Sequence, residues 1–201
     1  MNATSRLILV RHGTCARLDE MLLGRTVDAP LDSRGVTQAQ AVAEHLRNVN
    51  DPVLECSPRR RARETAERIA QQLNVEPQIA AALDELDFGP WSGRSFADLE
   101  HDPRWKYWNA RRGEACTPAG ESIAAVHDRV SSHLDELRRE HPRATFILVT
   151  HAEVIRTLVM YWLGVPTDSF LQVPIAPASI TTIAFDSDGA RVQELNVQVA
   201  A

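Results

Sequence analysis

The stretch Leu7-Ile8-Leu9-Val10-Arg11-His12-Gly13 joins four consecutive apolar residues directly to three residues that can support chemistry. An unbroken apolar run is typical of a strand covered on both faces, as in the parallel sheet of an α/β fold. Residues that follow such a strand emerge at its carboxyl end, where open α/β sheets bind ligands. The stretch therefore predicts a buried strand that ends at a site, although an ordinary strand-to-loop junction explains these seven residues equally well.

The composition predicts one globular domain spanning residues 1–201. Of the 201 residues, 44% are hydrophobic and 24% are charged, which is typical of a soluble protein with its own core. The net charge of −5 argues against nucleic acid as a partner, because phosphate backbones attract basic surfaces. A local basic pocket within an acidic protein is compatible with this net charge, and a homodimer is left open.

The cysteines and the hydropathy pattern predict a cytoplasmic protein without a membrane partner. Cys15, Cys56 and Cys116 are odd in number and widely spaced, which predicts reduced thiols rather than a disulfide framework. The N-terminus lacks the pattern of a signal peptide. No apolar segment approaches the roughly 18–20 residues that a membrane-spanning helix needs.

The rest of the chain alternates between strand and helix patterns. Strands are predicted at Val53–Cys56 and Thr145–Thr150, with a hairpin over 179–186 and 190–199 closed at Asp188-Gly189. Helices are predicted from Ser33 with Asp32 as its cap, from Ser57-Pro58 to about Leu73, from Gly120-Glu121 to Pro142, and from Ala152 to Gly164. For residues 77–118 we predict an inserted lid or side wall with short helices. The expected fold is a three-layer α/β/α sandwich with a mostly parallel central sheet and helices on both faces.

Two predicted strands end in a histidine, His12 and His151. The carboxyl ends of parallel strands share one edge of the sheet, so these histidines are expected to meet there. In the helix after Ser57, helical side chains lean towards the N-terminus, which aims Arg61 rather than Arg60 at the same edge.

Positive charge concentrates at this predicted edge. Arg11 and Arg61 supply guanidinium groups, and the helix that begins at Ala152 directs free amides and the positive end of its dipole there. The planar fork of arginine matches phosphate oxygens in pairs, so the cluster predicts a phosphoryl-binding site.

Five motifs in order carry a resemblance to a known family. They are Arg11-His12-Gly13, Ser57-Pro58-x-x-Arg61-Ala62-x-x-Thr65-Ala66, Leu83-x-Glu85-x-x-Phe88-Gly89-x-Trp91-x-Gly93, Pro118-x-Gly120-Glu121-Ser122 and Thr150-His151. Over residues 7 to about 164, the chain resembles the histidine phosphatase superfamily, which includes cofactor-dependent phosphoglycerate mutases. The resemblance implies a phosphoglycerate mutase-like fold and a phosphomonoester phosphatase that forms a phosphohistidine on a small phosphorylated metabolite.

The resemblance also implies the roles of five residues. His12 would be the nucleophile, while Arg11, Arg61 and His151 would bind the phosphoryl oxygens and stabilise the transition state. Glu85 would protonate the leaving oxygen and then activate water. The cations should lower the pKa of His12 and keep it neutral, and burial should raise the pKa of Glu85. The alternative for Glu85 is a surface carboxylate within an acidic segment.

The segments around the two histidines depart from the family pattern in ways that bear on substrate contacts. The loop after Gly13 is one residue shorter than usual, so Thr14 follows directly and Arg17 stands near the position of an expected Asn. Either Arg17 replaces the contact of that Asn, or the phosphate is held more loosely on this side. Gly24 matches a glycine that approaches substrate, and Ala152 replaces a glycine after the second histidine. Substrate contacts are expected from five residues in these segments: Gly13, Thr14, Arg17, Gly24 and Ala152. Glu153 would oppose an anionic substrate if it pointed inward.

The sequence indicates the substrate class less clearly than it indicates the catalytic residues. Arg111-Arg112 could bind a second anionic group, as in mutases, or form a solvated basic turn beside Glu114. Glu85 and Glu121 lie only 36 positions apart, which favours the compact phosphatases over the mutases. The alternatives are a phosphoglycerate mutase and a protein phosphohistidine phosphatase or signalling module.

No cofactor is expected, and no metal. No pair of histidines four residues apart with a nearby acid indicates zinc, and His127 and His133 are interpreted as surface residues.

Overall fold

The computed structural model describes residues 5–186 and 189–200, and its centre is one mixed sheet. The strands are β1 (Ser5–Arg11), β2 (Val53–Cys56), β3 (Gln78–Ile79), β4 (Thr145–Thr150), β5 (Ile180–Asp186) and β6 (Gly189–Val197), in the order β3-β2-β4-β1-β5-β6. The first four strands in this order are parallel, and β5 is antiparallel to both β1 and β6. The predicted strands and hairpin are confirmed, while Asp188 of the predicted turn lies outside the described residues.

Six α-helices surround the sheet in the described part of the chain. They are α1 (Ser33–His45), α2 (Arg60–Leu73), α3 (Phe96–Leu99), α4 (Pro103–Ala110), α5 (Ile123–Glu140) and α6 (Ala152–Leu163). Asp32 caps α1 as predicted, because its side chain accepts from the Gly35 amide. The predicted start of α2 at Ser57-Pro58 is wrong by about two residues, since the Ser57 hydroxyl contacts the buried ring of His151 and Arg59 is the N-cap. Likewise, α5 begins at Ile123 after the cap Ser122 rather than at Gly120-Glu121.

Alternating side chains of the central strands fill two separate cores. Leu7 and Leu9 of β1 pack into a cluster that contains the buried faces of α5 and α6. Ile8 and Val10 point to the opposite face, into a cluster with α1 and α2. This period of two, with both faces covered, explains why β1 is apolar without interruption. The predicted three-layer α/β/α sandwich with a mostly parallel sheet is confirmed.

The first residues of the segment 77–118 belong to the central sheet and not to the expected insertion. Gln78 and Ile79 pair in parallel with β2 and form an edge of the central sheet. Later in the segment, three tryptophans, Trp91, Trp105 and Trp108, pack together with their rings at centroid distances of 5.2 to 6.0 Å. Of this aromatic group, Trp105 lines a cavity that also includes Arg11 and His12, at the carboxyl edge of the sheet. Within residues 5–186 and 189–200, none of the helices combines the length and apolar character needed to cross a membrane.

Candidate active site

The carboxyl ends of β1 and β4 bring His12 and His151 together. Arg11 and Thr150 are register partners in the parallel pair, and the His12 amide donates to the Thr150 carbonyl at 3.0 Å. The two imidazole rings therefore lie side by side, with centroids 5.2 Å apart. Both rings are buried, as expected where two neighbouring strands leave the core together.

Arg61 lies against both histidines and is itself almost fully buried. Its Nε donates to His12 Nε2 at 3.1 Å, and its Nη2 lies 3.3 Å from His151 Nδ1. Nη2 also donates to the Gly24 carbonyl at 2.9 Å, which holds the guanidinium in place. Arg60 instead pairs with Glu64 on the exposed side of α2. The structure thus brings to the site the arginine that helical geometry predicts.

The hydrogen bonds of His12 define a neutral ring with a free lone pair on Nε2. Nδ1 lies 2.8 Å from the Gly13 carbonyl, which can only accept, so Nδ1 carries the proton. Burial lowers the pKa of His12 well below its ordinary value, and the charges of Arg61 and Arg11 lower it further. His12 is therefore neutral at neutral pH, and Nε2 is unprotonated.

In the His151 ring the two nitrogens have the reverse roles from those in His12. The guanidinium of Arg61 donates towards Nδ1, so Nε2 carries the proton and donates to Ser57 Oγ at 2.7 Å. Burial again lowers the pKa well below its ordinary value, with Arg61 contributing next. Ser57 belongs to one of the five family motifs, but the sequence predicts it as a helix cap rather than as the partner of this ring.

Glu85 is a buried carboxyl group beside His151. Oε1 accepts from the Leu86 amide at 2.9 Å, and Oε2 lies 3.7 Å from His151 Nδ1. Burial raises the pKa of Glu85 to about 7, against the opposing effect of Arg61 and with a further raising effect from Glu153. Near neutral pH this group can therefore both give and accept a proton, as an acid–base catalyst requires.

The backbone of Glu85 is held by an ion-pair network that the sequence does not predict. Arg25 Nε donates to the Glu85 carbonyl at 2.7 Å, and Arg129 Nη2 donates to the same oxygen at 3.2 Å. Glu121 binds both arginines, at 2.7 Å to Arg25 and 3.0 Å to Arg129. Asp84 accepts from the Glu85 amide at 2.8 Å. The contacts of Arg25, Glu121 and Arg129 join segments far apart in the chain, so local patterns carry no signal for them.

Arg11, His12, Arg61 and Glu85 line a cavity of about 330 Å³, a size that suits a small metabolite. His151 is not among the lining residues and contacts this group through Arg61 and Glu85. Seven of the predicted site residues line it: Arg11, His12, Gly24, Arg61, Glu85, Arg112 and Ala152. Arg11 is anchored through Nη1 to the Ile175 carbonyl at 2.6 Å. Its Nε is buried without a partner among the described residues, so it has a donor to spare for a ligand.

Gly13 and Thr14 are not among the lining residues. The Gly13 amide donates to Thr65 Oγ1 at 3.1 Å, and a Cβ on Gly13 would lie 2.7 Å from the Gly35 carbonyl oxygen. The glycine is therefore required by close packing against α1 rather than by a ligand. The Thr14 hydroxyl donates to Asp32 at 2.8 Å and supports the helix cap instead of a substrate.

Arg17 and Arg111 also stay outside the cavity, contrary to the substrate contacts expected of them. Arg17 is exposed, and its Nε donates to Glu20 at 3.2 Å. Arg111 is exposed and lies 3.9 Å from Glu114. For Arg111 the interpretation as a solvated basic turn is the better one, whereas its neighbour Arg112 is buried in the cavity wall.

Arg112, Glu153 and Arg156 form a second charged group in the cavity, called here the distal cluster. Arg112 Nη1 donates to Glu153 Oε2 at 2.5 Å, and Arg156 Nη1 donates to Glu153 Oε1 at 2.6 Å. Glu153 therefore does point inward, but two arginines neutralise it. Arg156 is not predicted from the sequence, although it begins the second turn of α6 and the argument that found Arg61 in α2 applies to it.

His127 and His133 are partly exposed, and each side chain is 20% accessible. His133 Nε2 lies 2.5 Å from Glu55 Oε2, and the His127 ring packs at a tilt against Tyr161 with centroids 4.0 Å apart. Both are therefore surface residues that also have protein partners. In the described part of the chain, no three His, Cys, Asp or Glu side chains are grouped so that they could hold a metal ion.

Comparison with known proteins identifies the family. The profile described as "Histidine phosphatase superfamily (branch 1)" matches residues 7–198, so the chain belongs to this superfamily. It is 29% identical to phosphoserine phosphatase 1 of Hydrogenobacter thermophilus over 96% of this chain and 92% of that one. It is 32% identical to an acid phosphatase of Mycobacterium tuberculosis over 90% and 87%. The structure of the alpha-ribazole phosphatase from Shigella flexneri superposes with a TM-score of 0.84 at 26% identity, covering 98% of each chain.

Proposed function

We propose that this member of the histidine phosphatase superfamily hydrolyses phosphomonoesters of small metabolites through a phosphohistidine on His12. The observation that carries the proposal is the state of His12: a neutral ring with Nδ1 tied to the Gly13 carbonyl and Nε2 unprotonated beside Arg61. A nucleophilic nitrogen must carry a lone pair, and an approaching phosphoryl group must meet positive charge. Both conditions hold at one end of the cavity.

In the first step, the Nε2 lone pair of His12 attacks phosphorus and the ester P–O bond breaks. Arg61 transfers its Nε hydrogen bond from the His12 ring to a phosphoryl oxygen, and Arg11 adds its free Nε donor. Fixed positive charge of this kind stabilises a phosphoryl group in transfer. The proton of Glu85 moves to the leaving oxygen, so an alcohol departs and Glu85 becomes a carboxylate.

In the second step, the Glu85 carboxylate removes a proton from water as the water attacks phosphorus. The P–N bond breaks, inorganic phosphate leaves, and His12 returns to its neutral form. The same carboxyl group thus acts as acid and then as base, which its pKa of about 7 supports. No metal or cofactor takes part in this proposal.

His151 acts through the atom that faces the site. Because Nε2–H is bound to Ser57, only Nδ1 is directed at Arg61 and Glu85. Burial and, next, the charge of Arg61 keep Nδ1 unprotonated. The charge of a bound phosphoryl dianion offsets that of Arg61 and favours a proton on Nδ1. His151 would then donate to a phosphoryl oxygen and stabilise the transition state.

A phosphatase is favoured over a mutase and over a protein-directed enzyme. The relatives from Hydrogenobacter thermophilus and Mycobacterium tuberculosis are phosphatases, and of the two adjacent arginines that could hold a second phosphate only Arg112 reaches the cavity. The walls contributed by Phe88, Phe96 and Trp105 favour a small molecule over an exposed protein loop. We also infer a cytoplasmic location, which the unpaired state of Cys15, Cys56 and Cys116 supports.

The test is phosphate release from a panel of phosphomonoesters with and without EDTA, in the wild type and in His12→Ala. Activity should survive EDTA and fall by roughly 10³-fold or more in His12→Ala, as removal of a nucleophile does. His101→Ala, at an exposed histidine, is the matched control and should keep full activity. Acid-labile, base-stable phosphate should be trapped on the wild type and not on His12→Ala. Loss of activity on chelation, or full activity in His12→Ala, would refute the mechanism.

A further inference from the structure

The distal cluster places a carboxylate between two guanidinium groups inside the cavity. Glu153 projects from the first turn of α6, and its side chain is only 14% exposed. Each of its oxygens accepts from a different arginine, Oε2 from Arg112 and Oε1 from Arg156. Glu153, Arg112 and Arg156 all line the same cavity as His12. Whatever departs from the phosphoryl group is therefore in reach of this cluster.

Both arginines are held firmly by other contacts. The Arg112 guanidinium lies between two aromatic rings, 3.4 Å from the centroid of Phe170 and 3.9 Å from that of Trp108. Arg112 Nη2 donates to Asn109 at 2.9 Å, and Arg156 Nε donates to the Val173 carbonyl at 3.0 Å. The arginines are thus preorganised, and both donate to Glu153.

This arrangement changes what the arginines can recognise. Two guanidinium groups lining a cavity would by themselves attract a carboxylate or a second phosphate. Here Arg112 Nη1 and Arg156 Nη1 already donate to the two oxygens of Glu153, so a second anionic group would have to displace that carboxylate or lie against it. Placing like charges together in a site is a common way of rejecting the wrong ligand.

We propose that Glu153 determines specificity by selecting phosphomonoesters whose leaving group has no net negative charge. Neutral polyols and zwitterions fit the cluster, whereas leaving groups with an unbalanced carboxylate or second phosphate are rejected. The proposal rests on the proposed phosphatase function and concerns other residues that line the same cavity.

The test compares two substrates that differ mainly at one carbon. Glycerol 3-phosphate carries a hydroxymethyl group where 3-phosphoglycerate carries a carboxylate. Because both present the same phosphoryl group to the same catalytic residues, changes in chemistry largely cancel in the ratio of their kcat/KM values. The wild type should favour glycerol 3-phosphate by about tenfold or more.

In Glu153→Gln, which keeps the side-chain volume, this ratio should shift about tenfold or more towards 3-phosphoglycerate, mainly through KM. In Arg156→Met the cluster loses a positive charge, and the ratio should move further towards glycerol 3-phosphate. Glu114→Gln, at a carboxylate that is 59% exposed and outside the cavity, is the matched control and should leave the ratio unchanged.

The opposite shifts in the two variants separate a charge effect from general damage to the pocket. If one variant does not fold, as judged by its thermal transition, the other decides alone. An unchanged ratio in a folded variant that still hydrolyses p-nitrophenyl phosphate overturns the inference and leaves the phosphatase proposal standing. Absence of hydrolysis of every phosphomonoester by the wild type would instead refute the proposed function.

Discussion

Replacing Glu85 by Gln separates the two consequences of burying a carboxyl group at this position. The amide keeps the volume of the side chain and an oxygen that can accept from the Leu86 amide, as Oε1 does now. It removes the transferable proton and also the negative charge that the wild type must bury at high pH. Activity and stability should therefore change in opposite directions.

The stability effect depends on the pKa. Burial raises the pKa of Glu85 from 4.5 to about 7, and one pKa unit corresponds to about 1.4 kcal/mol, so ionisation in the folded state is disfavoured by roughly 3 kcal/mol. A group whose pKa is raised on folding contributes stability below the unfolded value, and this contribution is lost as the pH rises through the folded value. Glu85→Gln should thus match the wild type near pH 4.5 and exceed its unfolding free energy by up to about 3 kcal/mol at pH 8.

The activity effect depends on the leaving group. On glycerol 3-phosphate the variant should lose about 10²- to 10⁴-fold in kcat, the usual contribution of a general acid. On p-nitrophenyl phosphate the first step should be nearly unaffected, because p-nitrophenolate leaves without a proton. The second step still lacks its base, so p-nitrophenol should appear as a burst equal to the enzyme concentration, followed by slow turnover.

Urea unfolding at pH 4.5 and pH 8 measures the change in stability, and stopped-flow absorbance measures the burst and the slow turnover. Glu76→Gln, at an exposed carboxylate, is the control and should change neither the stability nor the turnover. Equal stability of Glu85→Gln and wild type at pH 8 would refute the burial argument. Unchanged turnover of glycerol 3-phosphate would refute the assignment of Glu85 as the acid.

Two other predictions test groups that contact the site or the sheet. Ser57→Ala removes the acceptor of the His151 Nε2 proton, so kcat should fall by roughly 10- to 100-fold with little change in KM. Ser57→Thr keeps a hydroxyl acceptor and should restore kcat. A change in KM alone would contradict this positioning role of Ser57. His133→Gln removes the ion pair with buried Glu55. The hydrogen bond to Glu55 raises the pKa of His133. The ion pair therefore stabilises the fold below pH 6.5, and this stabilisation is lost as the pH rises through the raised pKa. The variant should therefore lose about 1–2 kcal/mol relative to wild type at pH 6 and less at pH 9 by urea unfolding, and a loss independent of pH would exclude the ion pair as its cause.

The central part of the fold could be predicted because its signals are local. The apolar runs at 7–10 and 145–149 identify strands covered on both faces, and parallel strands necessarily end at one edge of the sheet. The position of Arg61 is also a matter of local geometry, since a helical side chain leans towards the start of its helix. The same reasoning fails for β3, whose two residues are too short to show any period.

The distal cluster illustrates what could not be predicted. Its members come from the segment after α4 and from α6, which meet through the Arg112–Glu153 ion pair, with Trp108 and Phe170 packed around the Arg112 guanidinium. From the sequence, Arg111 and Arg112 are equivalent neighbours, yet one is exposed and the other is 4% exposed. Nothing in the local pattern separates them, because the difference depends on which side of α4 faces the cavity.

By itself the sequence determined the strand ends, the two histidines and the arginine aimed at them, because each depends on the period of one element and on the shared direction of parallel strands. The tertiary structure decided the protonation of His12 and His151, the raised pKa of Glu85, the exclusion of Arg17 from the cavity and the neutralisation of Glu153. These properties arise from burial and from charges that distant segments bring within a few ångströms. Electrostatic energies depend on such distances and on exclusion of water, and neither is written in the order of residues.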